Sequence, residues 1–331
     1  MRVVIDAAIP YITGILEPYC EVVYLPANEI TADVVHSADA LIIRTRTKCD
    51  KTLLEDSTVK FIATATIGTD HIDHIYCAEH NIEVCSAPGC NARGVLQWVA
   101  AVLHHITSTD NRAPESYTLG VVGVGNVGSL VSEYARHWGF KVMECDPPRQ
   151  AREGGEFYTV DEIAANCDII TLHTPLDDTT HHIVNKELIN KMKPDAIIIN
   201  ASRGGVVNNS VVATSGHRYI FDVWESEPNI EQDILQGATL STPHIAGYSI
   251  QGKANATSMV INALARHFNL PLQDWYPAGV KRTTPRPISW EEMCDTIVHY
   301  CDIKKESLQL KDSPQEFENM RNSYNYREEY F

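Results

Sequence analysis

Three polar side chains of complementary chemistry follow apolar, strand-like segments in the second half of the chain. Arg203 comes after "AIIIN", Glu227 lies in "FDVWESEP", and His244 lies in "STPHIAGYS". A forked guanidinium can grip a carboxylate and polarise a carbonyl oxygen, and a histidine can take the proton of a hydroxyl group. A glutamate can hold that imidazole in one tautomer. Together the three residue types predict the removal of a hydride and a proton from a 2-hydroxy acid.

A glycine-rich turn predicts a site for the hydride acceptor. Gly123, Gly125 and Gly128 form a GxGxxG pattern between the strand-like "YTLGVV" and the helical "NVGSLVSEYARHW". In that context the first glycine permits a tight turn, the second lets the backbone approach a pyrophosphate, and the third lets the helix pack on the strand. Asp146 ends the next strand-like segment, where a carboxylate can bind the ribose hydroxyls of NAD, although the neighbouring Arg149 could receive the extra phosphate of NADP. The pattern favours NAD.

Short apolar runs alternate with helix-length segments along most of the chain. This rhythm predicts an α/β protein with two Rossmann-like or flavodoxin-like domains, each with a parallel sheet, and an interdomain cleft. Residues 1–90 and 246–272 are predicted to form a substrate (catalytic) domain, and residues 91–245 an NAD-binding Rossmann domain. After the linker-like "KRTTPRP" this alternating pattern of the sequence changes, and residues 280–331 are predicted to form a small appended α/β module.

The composition of the chain argues against several classes of binding protein. The net charge of −16 over 331 residues argues against binding to nucleic acid or to an anionic membrane surface, since both need a basic face. The nine cysteines are scattered and contain no CxxC pair, which is typical of reduced thiols in a cytoplasmic protein. Histidines are paired at 104–105 and 181–182 and lie close together in "DHIDH", but adjacent side chains point to different sides of an element. No metal site is predicted.

Six motifs, "GVGNVG", "CDPP", "LHTPL", "INASRGGVV", "DVWESEP" and "TPHIAGYS", resemble those of the D-2-hydroxyacid dehydrogenase family. The resemblance spans nearly the whole chain and implies that Arg203, Glu227 and His244 are the catalytic residues. It also implies that Asp222 contacts the nicotinamide side of the cofactor. The NAD site is implied to contain Gly123, Gly125, Asn126, Val127, Gly128, Asp146, Thr174, Ala201, Ser202, Arg203, Asp222 and Gly247.

A narrower resemblance concerns the substrate. The motifs "ATATIGTDHID", "SAPGCNA" and "HIAGYSIQGK" are similar to those of the erythronate-4-phosphate dehydrogenase branch of that family. This branch implies Thr45, Thr66 and Tyr248 as substrate contacts and a homodimer formed through the C-terminal module. Arg44 ends the strand-like "DALIIR" and could neutralise a substrate phosphate or be an ordinary surface arginine. The implied reaction is NAD-dependent oxidation of 4-phospho-D-erythronate to 2-oxo-3-hydroxy-4-phosphobutanoate in pyridoxal 5′-phosphate synthesis.

Two alternatives stay open at this stage. The substrate could be another 2-hydroxy acid, such as 3-phosphoglycerate or glycerate. The chain could also be a non-catalytic NAD(H)-sensing binding protein, because some members of the family use the same fold in that way. The implied contacts of Thr45, Thr66 and Tyr248 and the C-terminal module argue against another acid, and the Thr/Gly-rich loop "TATIGTD", which suits a bound phosphate or carboxylate, argues against the sensing protein.

Overall fold

A computed structural model of the chain describes residues 1–272 and 274–331. These residues form two compact units, one containing Met1–Asn91 with Ile250–Arg282 and the other containing Ala92–Ser249 with Thr283–Phe331. Each unit is built on its own parallel sheet, so the predicted α/β class is confirmed. Within the described residues, no helix has the length and apolar character needed to cross a membrane.

The first unit is a five-stranded sheet in the order β2-β1-β3-β4-β5, the flavodoxin-like arrangement. Helices cover both of its faces, which explains why its strands are nearly continuous apolar runs. Val4, Leu41 and Ile62 belong to one core cluster, whereas Val3 and Ile42 belong to the cluster that includes the long helix after residue 249. The strands are β1 Arg2–Asp6, β2 Glu21–Leu25, β3 Ala40–Ile43, β4 Phe61–Thr64 and β5 Glu83–Cys85, and the helices are Ala27–Glu29 (3₁₀), Ala32–Val35, Lys51–Leu54, His74–Glu79 and Ile250–His267.

The second unit is a six-stranded parallel sheet in the order β11-β10-β9-β8-β6-β7. The chain passes from β6 to β7 on one side and then returns to place β8 on the other side of β6. Ligands of open α/β sheets bind outside the carboxyl ends of the strands at such a switch point. The strands are β6 Thr118–Val122, β7 Lys141–Cys145, β8 Ile169–Leu172, β9 Ile197–Asn200, β10 Arg218–Phe221 and β11 Leu240–Ser241.

Helices cover both faces of this second sheet. In β9, Ile197 and Ile199 belong to one core cluster and Ile198 belongs to the other, which explains the uninterrupted apolar run. The helices and 3₁₀ turns up to β11 are Ala92–Asp110, Pro114–Ser116 (3₁₀), Asn126–His137, Pro147–Glu153, Val160–Asn166, Lys186–Ile189, Gly204–Val206 (3₁₀), Asn209–Ala213 and Gln232–Gly237.

The C-terminal segment differs from the small α/β module predicted for it. Its regular elements are the helices Trp290–Tyr300, Ile303–Asp312 and Phe317–Asn322 with a 3₁₀ turn at Pro314–Glu316. Within the described residues, the tail that follows forms no strand, and a single parallel bridge joins its Arg327 to Ser249. The segment joins the second unit because Met293 and Phe331 lie in the same core cluster as Leu119 of β6. Its role in dimerisation stays a prediction.

Candidate active site

The glycine-rich turn lies at the carboxyl end of β6, beside the end of β8. Gly123 has a φ of +85°, which glycine adopts without strain, and a Cβ there would lie 2.8 Å from the His173 carbonyl and 2.9 Å from the Thr174 side chain. A Cβ at Gly128 would overlap the carbonyl oxygen of Gly123, whereas a Cβ at Gly125 would meet nothing within 4 Å. The turn is therefore tightly packed at its first and third glycines and open at its second, which is the glycine that faces the pyrophosphate in dinucleotide-binding turns of this pattern.

The groups around this turn fit NAD. Asp146 accepts hydrogen bonds from the Val124 and Arg149 N–H groups, both at 2.8 Å, and each carboxylate oxygen keeps lone-pair capacity for a ribose hydroxyl. The Arg149 guanidinium is bound to Glu153 at 2.8 Å and to the Val124 carbonyl at 2.9 Å, which weakens it as a receptor for the NADP phosphate. Thr174 Oγ1 is buried and has no hydrogen-bond partner in the part of the chain that the structure describes. A buried hydroxyl of this kind is suited to form a hydrogen bond with a polar group of a bound ligand.

The remaining predicted cofactor residues lie on three segments of the second unit. Asn126 and Val127 are the first two residues of the helix Asn126–His137. Ala201 and Ser202 follow β9 directly, and Gly247 lies in the loop after β11. Their contacts with NAD stay a prediction.

Replacing Gly125 by alanine is expected to weaken NADH binding by about tenfold or more, or ~1.4 kcal/mol, without loss of stability. The reason is that the new methyl group would fill space that the protein leaves open and that the pyrophosphate needs. Fluorescence titration with NADH measures the affinity, and thermal unfolding measures the stability.

Gly128→Ala is the matched comparison. Its methyl group would overlap the Gly123 carbonyl oxygen, so the strand and helix must separate. We expect a loss of about 1–3 kcal/mol in the free energy of unfolding, in the range typical of overpacking. Equal NADH affinity in Gly125→Ala and the wild type would contradict the predicted position of the pyrophosphate.

The Arg203 turn is held by a buried asparagine. Asn200 ends β9 with 0% exposure, accepts hydrogen bonds from the Ser202 N–H at 3.0 Å and hydroxyl at 2.8 Å, and donates to the Arg203 carbonyl at 2.9 Å. A Cβ on Gly204 would collide with the carbonyl group of Trp224. The turn therefore lies directly against the loop that carries Glu227, and only glycine allows this approach.

Glu227 and His244 form a hydrogen-bonded pair. Glu227 Oε2 lies 2.8 Å from His244 Nδ1, and the two side chains are 20% and 33% exposed. Glu227 Oε1 accepts the Trp224 N–H at 2.8 Å. Burial opposes ionisation of Glu227, but the hydrogen bond and charge of His244, the Trp224 N–H and the nearby Arg321 cation outweigh it and lower the pKa of the carboxyl group. A carboxylate at this position fixes the proton on Nδ1 and leaves Nε2 as the ring nitrogen for a substrate.

Asp222 holds the backbone around His244. Its carboxylate is 1% exposed and accepts hydrogen bonds from the Ile245 N–H at 2.8 Å, the Ala246 N–H at 2.9 Å and the Thr242 hydroxyl at 2.6 Å. Its carbonyl oxygen accepts the His244 N–H at 2.8 Å. The predicted contact of Asp222 with the nicotinamide is untested, whereas its part in placing the His244 loop is visible.

Sequence reasoning missed two polar residues that serve the site. Thr242 donates to Asp222 and accepts from the indole N–H of Trp98 at 3.1 Å, and Asn200 holds the Arg203 turn. Both are completely buried. The usable signal was a polar residue directly after an apolar strand, because such a group needs a partner inside the fold.

The predicted substrate residues occur in both units. In the first unit, Arg44 and Thr45 follow β3 and Thr66 follows the adjacent β4, so they share the carboxyl edge of that sheet. Arg44 Nε donates to the fully buried carboxylate of Asp6 at 2.8 Å, so a buried partner orients its guanidinium. In the second unit, the Tyr248 N–H donates to the Ile245 carbonyl at 2.8 Å.

In each histidine pair, one ring is hydrogen-bonded to a residue other than Arg203, Glu227 or His244: His182 to Glu225 and His104 to Ser108. The ring centroids of His181 and His182 are 3.9 Å apart, and His182 lies 2.5 Å from Glu225. His104 and His105 belong to the helix Ala92–Asp110. Across residues 1–272 and 274–331, no group of three or more His, Cys, Asp or Glu side chains could hold a metal ion.

Comparison with known sequences shows which proteins this chain is similar to. Residues 93–246 match the family model for the NAD-binding domain of D-isomer specific 2-hydroxyacid dehydrogenases. The chain is 42% identical to erythronate-4-phosphate dehydrogenase of Bacteroides fragilis, an alignment that covers 99% of this chain and 97% of that protein. The enzyme of the same name from Salmonella arizonae is 34% identical over 100% of this chain and 92% of its own length.

Comparison with solved structures supports the fold. D-Lactate dehydrogenase of Aquifex aeolicus, solved with NAD and lactic acid, gives a TM-score of 0.70 at 22% identity and covers 85% of this chain and 100% of its own. NAD-bound 3-phosphoglycerate dehydrogenase of Entamoeba histolytica gives 0.69 at 25% identity over 85% and 99%. On the strength of the near full-length relatives, the chain belongs to the D-2-hydroxyacid dehydrogenase family and, within it, to the erythronate-4-phosphate dehydrogenase branch.

Proposed function

We propose that this chain oxidises 4-phospho-D-erythronate at C2 with NAD, giving 2-oxo-3-hydroxy-4-phosphobutanoate for pyridoxal 5′-phosphate synthesis. The observation that carries the proposal is the Glu227–His244 pair at 2.8 Å, in the loop region against which the Arg203 turn packs. The choice of substrate is supported by relatives that are 34–42% identical and bear the name of this activity.

Each of the three side chains has one task in the reaction. Arg203 binds the substrate carboxylate and stabilises the growing negative charge on the C2 oxygen. His244 Nε2 accepts the hydroxyl proton while the C2–H bond breaks and the C2=O bond forms. Glu227 stabilises the resulting imidazolium, which later releases its proton to solvent. NAD, when bound at the glycine-rich turn, supplies the acceptor for the hydride.

We further propose that Thr45, Thr66 and Tyr248 contact the substrate and that Arg44 faces its phosphate. The Thr66 hydroxyl lies 2.7 Å from the Thr64 hydroxyl and 3.2 Å from the Gly68 carbonyl, so its direction is set by the loop. The ion pair of Arg44 with Asp6 reduces the net charge that this arginine can present. Its contribution is therefore expected to come from directed hydrogen bonds more than from long-range attraction.

A substrate panel tests the proposal. We expect NADH absorbance at 340 nm to rise with 4-phosphoerythronate and to rise at least about tenfold more slowly, ~1.4 kcal/mol in transition-state energy, with erythronate and 3-phosphoglycerate. A carbonyl trap or a 2-oxo acid acceptor is needed because oxidation of a hydroxy acid by NAD is uphill. A clear preference for 3-phosphoglycerate would retain the catalytic roles and overturn the substrate. If no acid produced NADH and the protein captured a partner protein only when NADH was present, the NAD-sensing alternative would be favoured.

We also propose a cytoplasmic homodimer formed through the C-terminal segment. Val298 and Leu308 on its first two helices are 49% and 63% exposed, and apolar side chains of this kind are commonly covered at an interface. The nine scattered cysteines suit a reducing compartment. Light scattering after size exclusion decides the dimer, and a monomer at micromolar concentration would overturn that part.

A further inference from the structure

The C-terminal tail carries two ionisable side chains into the protein interior. Residues 324–331 follow the last helix and have no regular secondary structure apart from a bridge at Arg327, and the alternate residues Arg327, Glu329 and Phe331 are only 5%, 4% and 0% exposed. Burial of a charged group costs free energy unless the group is fully hydrogen-bonded. A tail that only lay on the surface would not bury ionisable side chains, so the hydrogen-bond partners of Arg327 and Glu329 indicate the role of the tail.

Arg327 binds the backbone of the loop that carries His244. Its Nη1 donates to the Ile245 carbonyl at 3.1 Å, and its Nη2 donates to the Ala246 carbonyl and, at 2.9 Å, to the Gly94 carbonyl. Nη1 also donates to the Tyr324 hydroxyl at 3.1 Å. One guanidinium thus ties two consecutive carbonyl groups after His244 to the start of the helix Ala92–Asp110.

The backbone that Arg327 holds is strained at the histidine itself. His244 has a φ of +57°, a left-handed conformation that costs about 1–2 kcal/mol for a residue with a side chain. Such conformations persist only where several contacts with the surrounding structure hold them in place. Asp222 accepts the N–H groups of His244, Ile245 and Ala246 on one side, and Arg327 takes the carbonyls of Ile245 and Ala246 on the other.

We propose that Arg327 is a positioning residue for the reaction, which holds the His244 backbone so that the imidazole meets both Glu227 and the substrate. The buried carboxylate of Asp222 accepts the N–H groups of Ile245 and Ala246, and the buried guanidinium of Arg327 donates to the carbonyl groups of the same two residues. Within the C-terminal tail, it is therefore Arg327 that acts on the loop carrying His244. This inference rests on the proposed role of His244 as the proton acceptor.

Glu329 provides the matched control. It is equally buried and fastens the same tail through the Ser249 and Thr283 hydroxyls, both at 2.6 Å, but it bonds neither the Ile245 nor the Ala246 carbonyl. A merely structural tail would make Arg327 and Glu329 equivalent. A clamp on the His244 loop makes them different, because the arginine donates to the Ile245 and Ala246 carbonyls and a carboxylate has no N–H group to donate.

The kinetic test compares Arg327→Met, Arg327→Lys and Glu329→Gln in the full-length protein with 4-phosphoerythronate and NAD. We expect kcat to fall about 100-fold in Arg327→Met, the scale of a misplacement near 1 Å, and about tenfold or more in Arg327→Lys, which cannot fork between the two carbonyls. The KM for substrate and the Kd for NADH should stay within about threefold. Glu329→Gln should keep kcat within about threefold at a similar loss in Tm.

Hydrogen exchange gives a readout that needs no substrate. The amide protons of Ile245 and Ala246 should exchange at least about tenfold faster in Arg327→Lys than in Glu329→Gln, because a loosened clamp exposes them more often. Unchanged exchange and kcat in folded Arg327→Lys, or an equal kcat loss in Glu329→Gln, would overturn the inference. If Arg327→Met fails to fold, Arg327→Lys decides by the same criteria. A wild type inactive on every acid would instead overturn the proposed function, and exchange would still decide the clamp.

Discussion

Replacement of Arg203 by methionine is expected to lower kcat/KM for 4-phosphoerythronate by about 1000-fold, or ~4 kcal/mol of transition-state stabilisation. The loss combines the carboxylate clamp with the hydrogen bond to the developing negative charge on oxygen, and the second effect alone is commonly worth 100- to 1000-fold. Initial rates over a range of substrate concentrations measure it. NADH affinity should change little, because the turn is held by the Asn200 side chain and by the packing of Gly204.

Two further variants distinguish the paired hydrogen bonds of Arg203 from its positive charge and from nonspecific effects of removing an arginine. Arg203→Lys keeps the cation but loses the planar pair of donors, so it should recover no more than about tenfold of the lost activity. Arg136→Met removes an arginine that is 50% exposed and paired with Glu144 on the sheet surface, and it should leave the rate unchanged. Activity of Arg203→Met within tenfold of the wild type would remove this residue from the mechanism.

The sheets could be predicted from the sequence because the signal for each strand, a short apolar run, lies within the strand itself. The runs "DALIIR" and "AIIIN" are too apolar and too short for anything but strands covered on both faces, and they appear as Ala40–Ile43 and Ile197–Asn200. The C-terminal segment could not be predicted in this way. Its tail has the alternating burial of a strand, with Arg327, Glu329 and Phe331 inside, but its inward residues include charges whose partners lie far away in the chain.

The three residues proposed as catalytic were predicted from motifs, but the groups that hold them could not be. Arg203, Glu227 and His244 each follow a strand-like run, and parallel strands end at the same sheet edge. The bond from Arg327 to Ala246 joins residues 81 positions apart, and an arginine in "NYREEY" looks like part of a solvated tail. Residues that act through backbone carbonyl groups leave little trace in sequence patterns, because every residue type has a carbonyl group.

The second large effect is expected at His244. Replacement by glutamine should lower kcat about 1000-fold or more, within the range typical of a lost general base, while the KM and the Kd for NADH change little. Glutamine can still accept a hydrogen bond from the substrate hydroxyl, but it cannot take the proton. Single-turnover formation of NADH measures the chemical step directly, without interference from product release.

Glu227→Gln tests whether the pair acts as a unit. The variant should lose about 100-fold in kcat, since the neutral amide cannot stabilise an imidazolium. Because the pKa of Glu227 is lowered in the folded protein, its carboxylate stabilises the fold above the ordinary pKa of a glutamate, and that stabilisation is lost as the pH falls through the lowered value. In Glu227→Gln this part of the acid sensitivity should disappear, as thermal unfolding between pH 3 and 6 (roughly the titration range of carboxyl groups) would show.

The double variant distinguishes a coupled pair from two independent contributors. The double variant of Glu227 and His244 should be no slower than the His244 variant alone, because a carboxylate that acts through the imidazole has nothing to act on once the imidazole is gone. Additive losses would mean that Glu227, 2.8 Å from His244, serves the reaction by some other route.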